Sequence, residues 1–290
     1  MKNEILERYL IINGRIMPVS EASALSAGSS ETIYEVLRIV SGIPLFLEKH
    51  MDRLETSAGL LNHSIAGISD NIRDSIGELI KVNNSPDKNV KIIVYNMENP
   101  IPDYMVYFIL SNYPTPEQYN MGVNVILLEE ERNNPNAKVV NLSYKERITT
   151  ALADANAYEA LLINRENEIT EGSRSNIFFV RNDKVFTAPK GNVLMGITRL
   201  YVFELCKNLG IEIIEEPIYV SILGEMDGAF MTGTSPKILP ISTIGDMSFN
   251  SAKNPIIKAL MKRYDYIIEE YIRKMRSIFQ SRDTSRETRD

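Results

Sequence analysis

One cysteine, Cys206, and two histidines, His50 and His63, set narrow limits on the chemistry this chain can do. No internal disulfide is possible, and a zinc site built from Cys and His ligands lacks donors, which leaves only carboxylate sites open; no metal is expected. A Ser-His-Asp triad would have to use one of those histidines, and neither has a nucleophile motif beside it. The residues with chemical promise are scattered. In order they are His50-Met51-Asp52-Arg53, Ala137-Lys138, Asn141-Leu142, Ala157-Tyr158-Glu159-Ala160, Thr170-Glu171-Gly172 followed by Asn176-Ile177-Phe178, Gly196-Ile197-Thr198-Arg199 and Thr232-Gly233-Thr234. Gly196-Ile197-Thr198-Arg199 opens a helical pattern, so free backbone amides and the helix dipole point at an anion. A lysine amine is a nucleophile when burial or cationic neighbours lower its pKa. Lys138 and Lys145 both compete for that role, and taken alone either is an ordinary surface charge.

These residues must be positioned by elements that the hydrophobic periodicity outlines. Asn13-Gly14 and Ser41-Gly42 are two-residue hairpin turns between strand-like runs. Helices are expected over 48–61 and 72–82, and strands over 90–95 and 104–110. Residues 112–118 carry two prolines between strand-like runs and form the best linker. Beyond it come a strand over 123–129, a helix over 143–157, and strands over 160–164, 168–170, 177–180 and 185–188. A helix over 198–208 is stopped by Gly210. Strands over 211–216 and 228–232 and a long helix over 255–279 follow. The reading is an α+β fold with a small α+β domain over 1–111, a linker over 112–118, a large domain over 119–279 and a disordered tail over 280–290.

The gross numbers agree with a globular enzyme. Hydrophobic residues make up 44% of the 290 positions and charged residues 24%, a normal balance for a packed domain. A formal net charge of −6 argues against a nucleic-acid partner, which would call for a basic face. No apolar run approaches the ~20 residues of a membrane helix, and residues 1–8 are charged rather than signal-like. A cytoplasmic location is expected. Cys206 sits in an apolar pattern and reads as packing.

The set of pieces, in this order and at these separations, resembles the fold-type IV pyridoxal-phosphate enzymes (class IV aminotransferases). That group holds the branched-chain aminotransferases, the D-amino acid aminotransferases and the aminodeoxychorismate lyases. The likeness runs over roughly residues 9–276. It implies two domains, the second a larger mixed β-barrel-like one, and pyridoxal 5'-phosphate as cofactor. Lys138, thirty-three residues before Glu171, takes the place of the lysine that carries the cofactor and moves the proton at the substrate Cα. Lys145 stands too close to Glu171 for that role and falls inside a helix pattern. Glu171 corresponds to the carboxylate that keeps the cofactor ring nitrogen protonated, which makes the ring a better electron sink. The amides of Ile197 and Thr198, together with Thr234, are implied as phosphate ligands, and Arg53 as a charge-assisted one. His50 reads as structural.

The Tyr34-Glu35 pair favours transamination over the lyase reaction. Tyr34 and Arg38 are candidates for the substrate pocket, which the segment near 20–40 should wall. Branched-chain enzymes carry a tyrosine and an arginine at positions that correspond to Val90 and Ile92, and tyrosines at those of Ser29 and Ser143. D-amino acid enzymes carry an arginine and a histidine after this strand, whereas residues 92–110 contain no Arg, Lys or His. The resemblance therefore implies an amino acid and a 2-oxo acid as substrates, branched-chain-like by default. It leaves an aminodeoxychorismate lyase that releases pyruvate, or a catalytically silent scaffold, as the alternatives. A homodimer is implied by the same likeness.

Overall fold

A computed structural model describes residues 4–21, 31–84, 87–132 and 135–287. The chain divides into two compact units, one of Met1–Ser111 with Asp265–Asp290, the other Asn112–Tyr264.

The first unit holds β1 (Tyr9–Ile12), β2 (Arg15–Pro18), β3 (Ile33–Val40), β4 (Ile43–Pro44), α1 (Leu47–Leu60), α2 (Ser69–Asn83), β5 (Asn89–Tyr95) and β6 (Asp103–Ile109). The six strands form an antiparallel sheet in the order β2-β1-β6-β5-β3-β4. Asn13 and Gly14 both take positive φ, 47° and 78°, the geometry that matches the twist of the strands they join. Along β3 the burial alternates, with Ile33, Glu35, Leu37 and Ile39 buried. That face meets α1, whose buried residues are His50, Met51, Leu54, Ser57 and Ala58. The opposite face of the sheet carries a cluster of Leu10, Ile93, Met105 and Tyr107 with Tyr34 packed against it.

The second unit holds α3 (Pro116–Met121), β7 (Val123–Glu129), α4 (Leu142–Asp154), β8 (Glu159–Ile163), β9 (Glu168–Gly172), β10 (Asn176–Arg181), β11 (Lys184–Thr187) and α5 (Ile197–Leu209). It continues with β12 (Ile213–Glu215), β13 (Ile218–Tyr219), β14 (Gly228–Gly233), β15 (Lys237–Ile244) and β16 (Met247–Ser248), and α6 (Pro255–Glu287) begins in it. One mixed sheet runs β12-β11-β10-β14-β15-β7-β8-β9-β13, with β16 on β15. It forms a half-barrel around Val125, Leu161, Ile177, Phe179, Met231 and Ile241, among others. On the other face Phe178 and Phe230 stack at 5.0 Å, and α5 lies against β14.

The α+β architecture is the one expected, with three differences. The stretch over 112–118 is not simply a linker, because α3 starts inside it. Thr115 caps this helix, exchanging bonds reciprocally with Gln118, and Pro116 takes the first turn, where its missing N–H is no loss. Second, residues 265–279 cluster with the first unit and not the second. The Tyr271 ring lies 4.9 Å from Phe46, and its hydroxyl donates to Glu48 at 2.9 Å. Third, residues 280–287, expected as a disordered tail, continue α6, since no proline or glycine interrupts the chain after Pro255. Residues 288–290 lie outside the described residues.

Candidate active site

The second unit brings Lys138 and Glu171 together through one dipeptide, Val193-Leu194. Asn136, two residues before Lys138, donates from its amide to the carbonyls of Lys190 at 2.9 Å and Val193 at 2.8 Å. Leu194 donates its backbone N–H to Glu171 Oε2 at 3.1 Å. Its carbonyl accepts from Asn176 Nδ2 at 2.7 Å, and the same Nδ2 lies 3.4 Å from Glu171 Oε2. The lysine loop and the carboxylate therefore hang from the two sides of one peptide group, that between Val193 and Leu194. The charge of Lys138 is among those that act on Glu171.

Glu171 sits at the end of β9 and is 2% exposed. Burial pushes its carboxyl up to about 7, against the pull of Arg132, the Leu194 amide, Lys138 and Arg199. Removal from water disfavours the anion more than these partners restore it. Arg132 Nε stands 3.2 Å from Glu171 Oε1. The approach is an ion pair without hydrogen-bond alignment, so Oε1 accepts no hydrogen bond among the described residues. Arg132 also donates to the Ser173 carbonyl at 2.7 Å and stacks over the Tyr144 ring at 5.3 Å. Tyr144, at the start of α4, donates to the same carbonyl at 3.2 Å. Its phenol is pushed up to about 12, chiefly by burial, and stays a neutral donor. Sequence reasoning missed Arg132 and Tyr144: neither lies in a recognisable motif, and only folding carries them to Glu171.

Gly196, expected to open a helix, stands immediately before α5 as its cap residue. No side chain caps this helix, so the amides of Ile197 and Thr198 point out of its positive end. A side chain at Gly196 would put its Cβ 2.2 Å from Asn176 Oδ1, so the backbone there needs glycine for clearance. The Thr198 hydroxyl is engaged by Tyr264 at 3.2 Å, which leaves the amide as its contribution. Thr234 lies half-buried in the turn from β14 to β15. Arg199, fully buried, anchors the first turn of α5. It donates to Thr187 Oγ1 at 2.5 Å and the Ala188 carbonyl at 2.8 Å, and pairs with Glu215 at 3.1 Å. Its guanidinium lies against Phe178 and Phe203 at 5.5 and 5.0 Å.

Other expected residues belong to the first unit. Arg53 gives Nε and Nη2 to the two oxygens of Glu35, at 2.8 and 2.5 Å. His50 Nδ1 stands 3.2 Å from Glu35 Oε1, which fits the structural role expected of it. Complete burial pushes the Glu35 carboxyl up, but Arg53 and His50 outweigh it and hold the group well below the usual carboxylate range. Glu35 thus orients Arg53 and faces α1. Tyr34 and Arg38 lie on the opposite, half-buried side of β3. Lys91 on β5 lies 5.3 Å over the Tyr34 ring and pairs with Glu4 at 2.7 Å, a cation one residue before the stretch searched for one. Of the segment expected to wall the pocket, residues 22–30, Ser29 among them, lie outside the described residues. Cys206 is fully buried, its thiol pushed up to about 12 by burial, and packs as expected.

Known proteins resemble this chain over most of its length. A D-alanine aminotransferase from Bacillus licheniformis is 28% identical over 265 residues, spanning 86% of this chain and 93% of that protein. A probable branched-chain-amino-acid aminotransferase from Rickettsia typhi is 29% identical over 287 residues, 92% of this chain and 99% of that protein. The crystal structure of the branched-chain amino acid aminotransferase from Thermobaculum terrenum in its PLP-form superposes with a TM-score of 0.78 at 23% identity, covering 94% of this chain and 96% of that one. The family model for amino-transferase class IV matches residues 32–244. With nearly three quarters of its length inside that model, the chain belongs to the class IV aminotransferase family, the pyridoxal-phosphate enzymes of fold type IV.

Proposed function

We propose that this class IV aminotransferase uses pyridoxal 5'-phosphate held on Lys138 to move an amino group between an amino acid and a 2-oxo acid. The observation that carries the reading is Glu171: a buried carboxylate within reach of the lysine charge, with one oxygen that accepts no hydrogen bond among the described residues. A protonated ring nitrogen is the partner such an oxygen lacks. The uncapped start of α5 fits the phosphate of the same cofactor. When bound, the cofactor supplies an electron sink for the negative charge that develops at the substrate Cα.

The roles of the chain's own groups follow. Lys138 would hold the cofactor and, as a free amine, would carry the proton between the substrate Cα and the cofactor C4′. Glu171 holds a proton on the ring nitrogen, and Arg132 keeps Glu171 oriented. The amides of Ile197 and Thr198 and the hydroxyl or amide of Thr234 bind the phosphate, and Arg53 is proposed as a further charge for it. Tyr34 and Arg38 are proposed for substrate recognition. Branched-chain amino acids are the first substrates to try, with D-alanine beside them, since relatives of both names match at similar identity. The active form is proposed to be a cytoplasmic homodimer, to be checked by light scattering.

The purified protein should be yellow, and its visible absorbance should bleach when a substrate is added from a panel of L- and D-amino acids. Lys138→Ala should lose both the visible band and turnover. Turnover that survives in that variant overturns the assignment. Pyruvate released without any 2-oxo acid acceptor would give the reaction to the lyase branch.

A further inference from the structure

The Ala157-Tyr158-Glu159-Ala160 segment has so far been given no task. Glu159 opens β8, 5% exposed, and no cation lies within ion-pair distance of its carboxylate among the described residues. Four donors converge on it instead. Oε1 accepts from the Ala160 amide at 2.9 Å and from the Ser173 hydroxyl in a short bond. Oε2 accepts from the Arg174 amide at 3.2 Å and the Ser175 hydroxyl at 3.0 Å. Three of the four come from the turn that joins β9 to β10. A buried carboxylate without a counter-ion is tolerated only when such donors replace its water.

That turn begins two residues after Glu171 and ends one residue before Asn176, which holds Glu171 and the Leu194 carbonyl. Its Ser173 carbonyl is the shared acceptor of Arg132 and Tyr144. Gly172 fits the same purpose, since a Cβ there would lie 2.1 Å from Ser175 Oγ and 3.3 Å from Glu159 Cγ. Each residue from 172 to 176 thus has a task in one assembly with Glu159 at its centre.

We infer that Glu159 is a positioning residue for the cofactor site: its carboxylate shapes the Gly172–Asn176 turn, and through it fixes Glu171, Arg132 and Tyr144. The inference rests on the proposed role of Glu171. Glu159→Gln keeps size and shape but replaces one acceptor oxygen with a donor amide, so a backbone N–H loses its acceptor. Ser175→Ala removes one hydroxyl donor and serves as the milder variant should the first fail to fold.

The test measures the dissociation constant for pyridoxal phosphate by fluorescence, the pH titration of the bound cofactor's absorbance, and kcat and KM for the best amino donor. Glu159→Gln should weaken cofactor affinity about tenfold, the scale set by one lost bond to a charged group. It should also displace the absorbance titration and lower kcat more than it raises KM. Ser175→Ala should change the same readings in the same direction by a smaller factor. A variant that melts earlier while affinity and absorbance titration stay within twofold of the parent has lost stability alone, and this overturns the inference. Failure of the wild-type protein to bind the cofactor, or turnover that survives in Lys138→Ala, would instead overturn the underlying functional reading.

Discussion

Glu171 is a carboxylate whose burial outweighs the cations around it, Arg132 at 3.2 Å among them. Its carboxyl titrates near 7 in the folded chain against 4.5 as its ordinary value. A group whose folded pKa is raised stabilises the fold least once both states are ionised. Below pH 4.5 the group is neutral in both states and has no effect. As pH rises from there through 7, the unfolded chain gives up its proton first, and the apoprotein loses about 3 kcal/mol. Glu171→Gln has no such loss. The apo form of this variant should be the more stable above pH 7, with the gap closing as pH falls towards 4.5 in a series of urea titrations. A parallel pH dependence of the two proteins would refute this. Pyridoxal phosphate should reverse the order, because a protonated ring nitrogen restores the missing partner. Of these residues, Lys138 and Glu171 are singled out in the sequence by the resemblance to the family. Arg132 and Tyr144 are not, because their contact with Glu171 exists only after distant strands pair.

At the level of elements, turns and caps decided what could be read in advance. The hairpin at Asn13-Gly14 announces itself because few residue pairs accept two positive φ angles. Helix α5 is framed by Gly196 before it and Gly210, at φ 68°, after it. Strand β15 was missed because Pro240 interrupts it, and proline argues against an inner strand. The structure accommodates it opposite Phe230 on β14, where β7 has not yet begun to pair; that pairing starts at Ile241. Helix α3 was missed although its capping pair was in plain sight, because two prolines were read only as stiffening. The geometry at the start of α5 gives a direct prediction. Gly196 has φ −66°, which alanine adopts freely, so any effect of Gly196→Ala must come from the new methyl group pressing on Asn176. The variant should bind pyridoxal phosphate about tenfold more weakly, read by equilibrium dialysis, with its melting temperature lowered by a few degrees. Unchanged affinity would mean that Asn176 can yield without disturbing Glu171.

On the scale of the whole molecule, the two-unit division was visible at residue 111 but not at the far end of the chain. Helix α6 reads as one continuous amphipathic run, and nothing in its sequence marks Tyr264 as the last residue of the second unit. What assigns the rest of the helix is tertiary contact with α1, above all Tyr271 against Phe46 and Glu48. Tyr271→Ala should therefore destabilise the first unit by about 1–2 kcal/mol, seen as an earlier urea transition in a probe on residues 1–111. A change confined to the second unit would contradict the assignment. The first unit is also built from two stretches that the whole of residues 112–264 separates along the chain. Its completion therefore depends on a distant segment, whereas the second unit is one uninterrupted run. A chain cut after Tyr264 should keep a folded second unit and an unfinished first one.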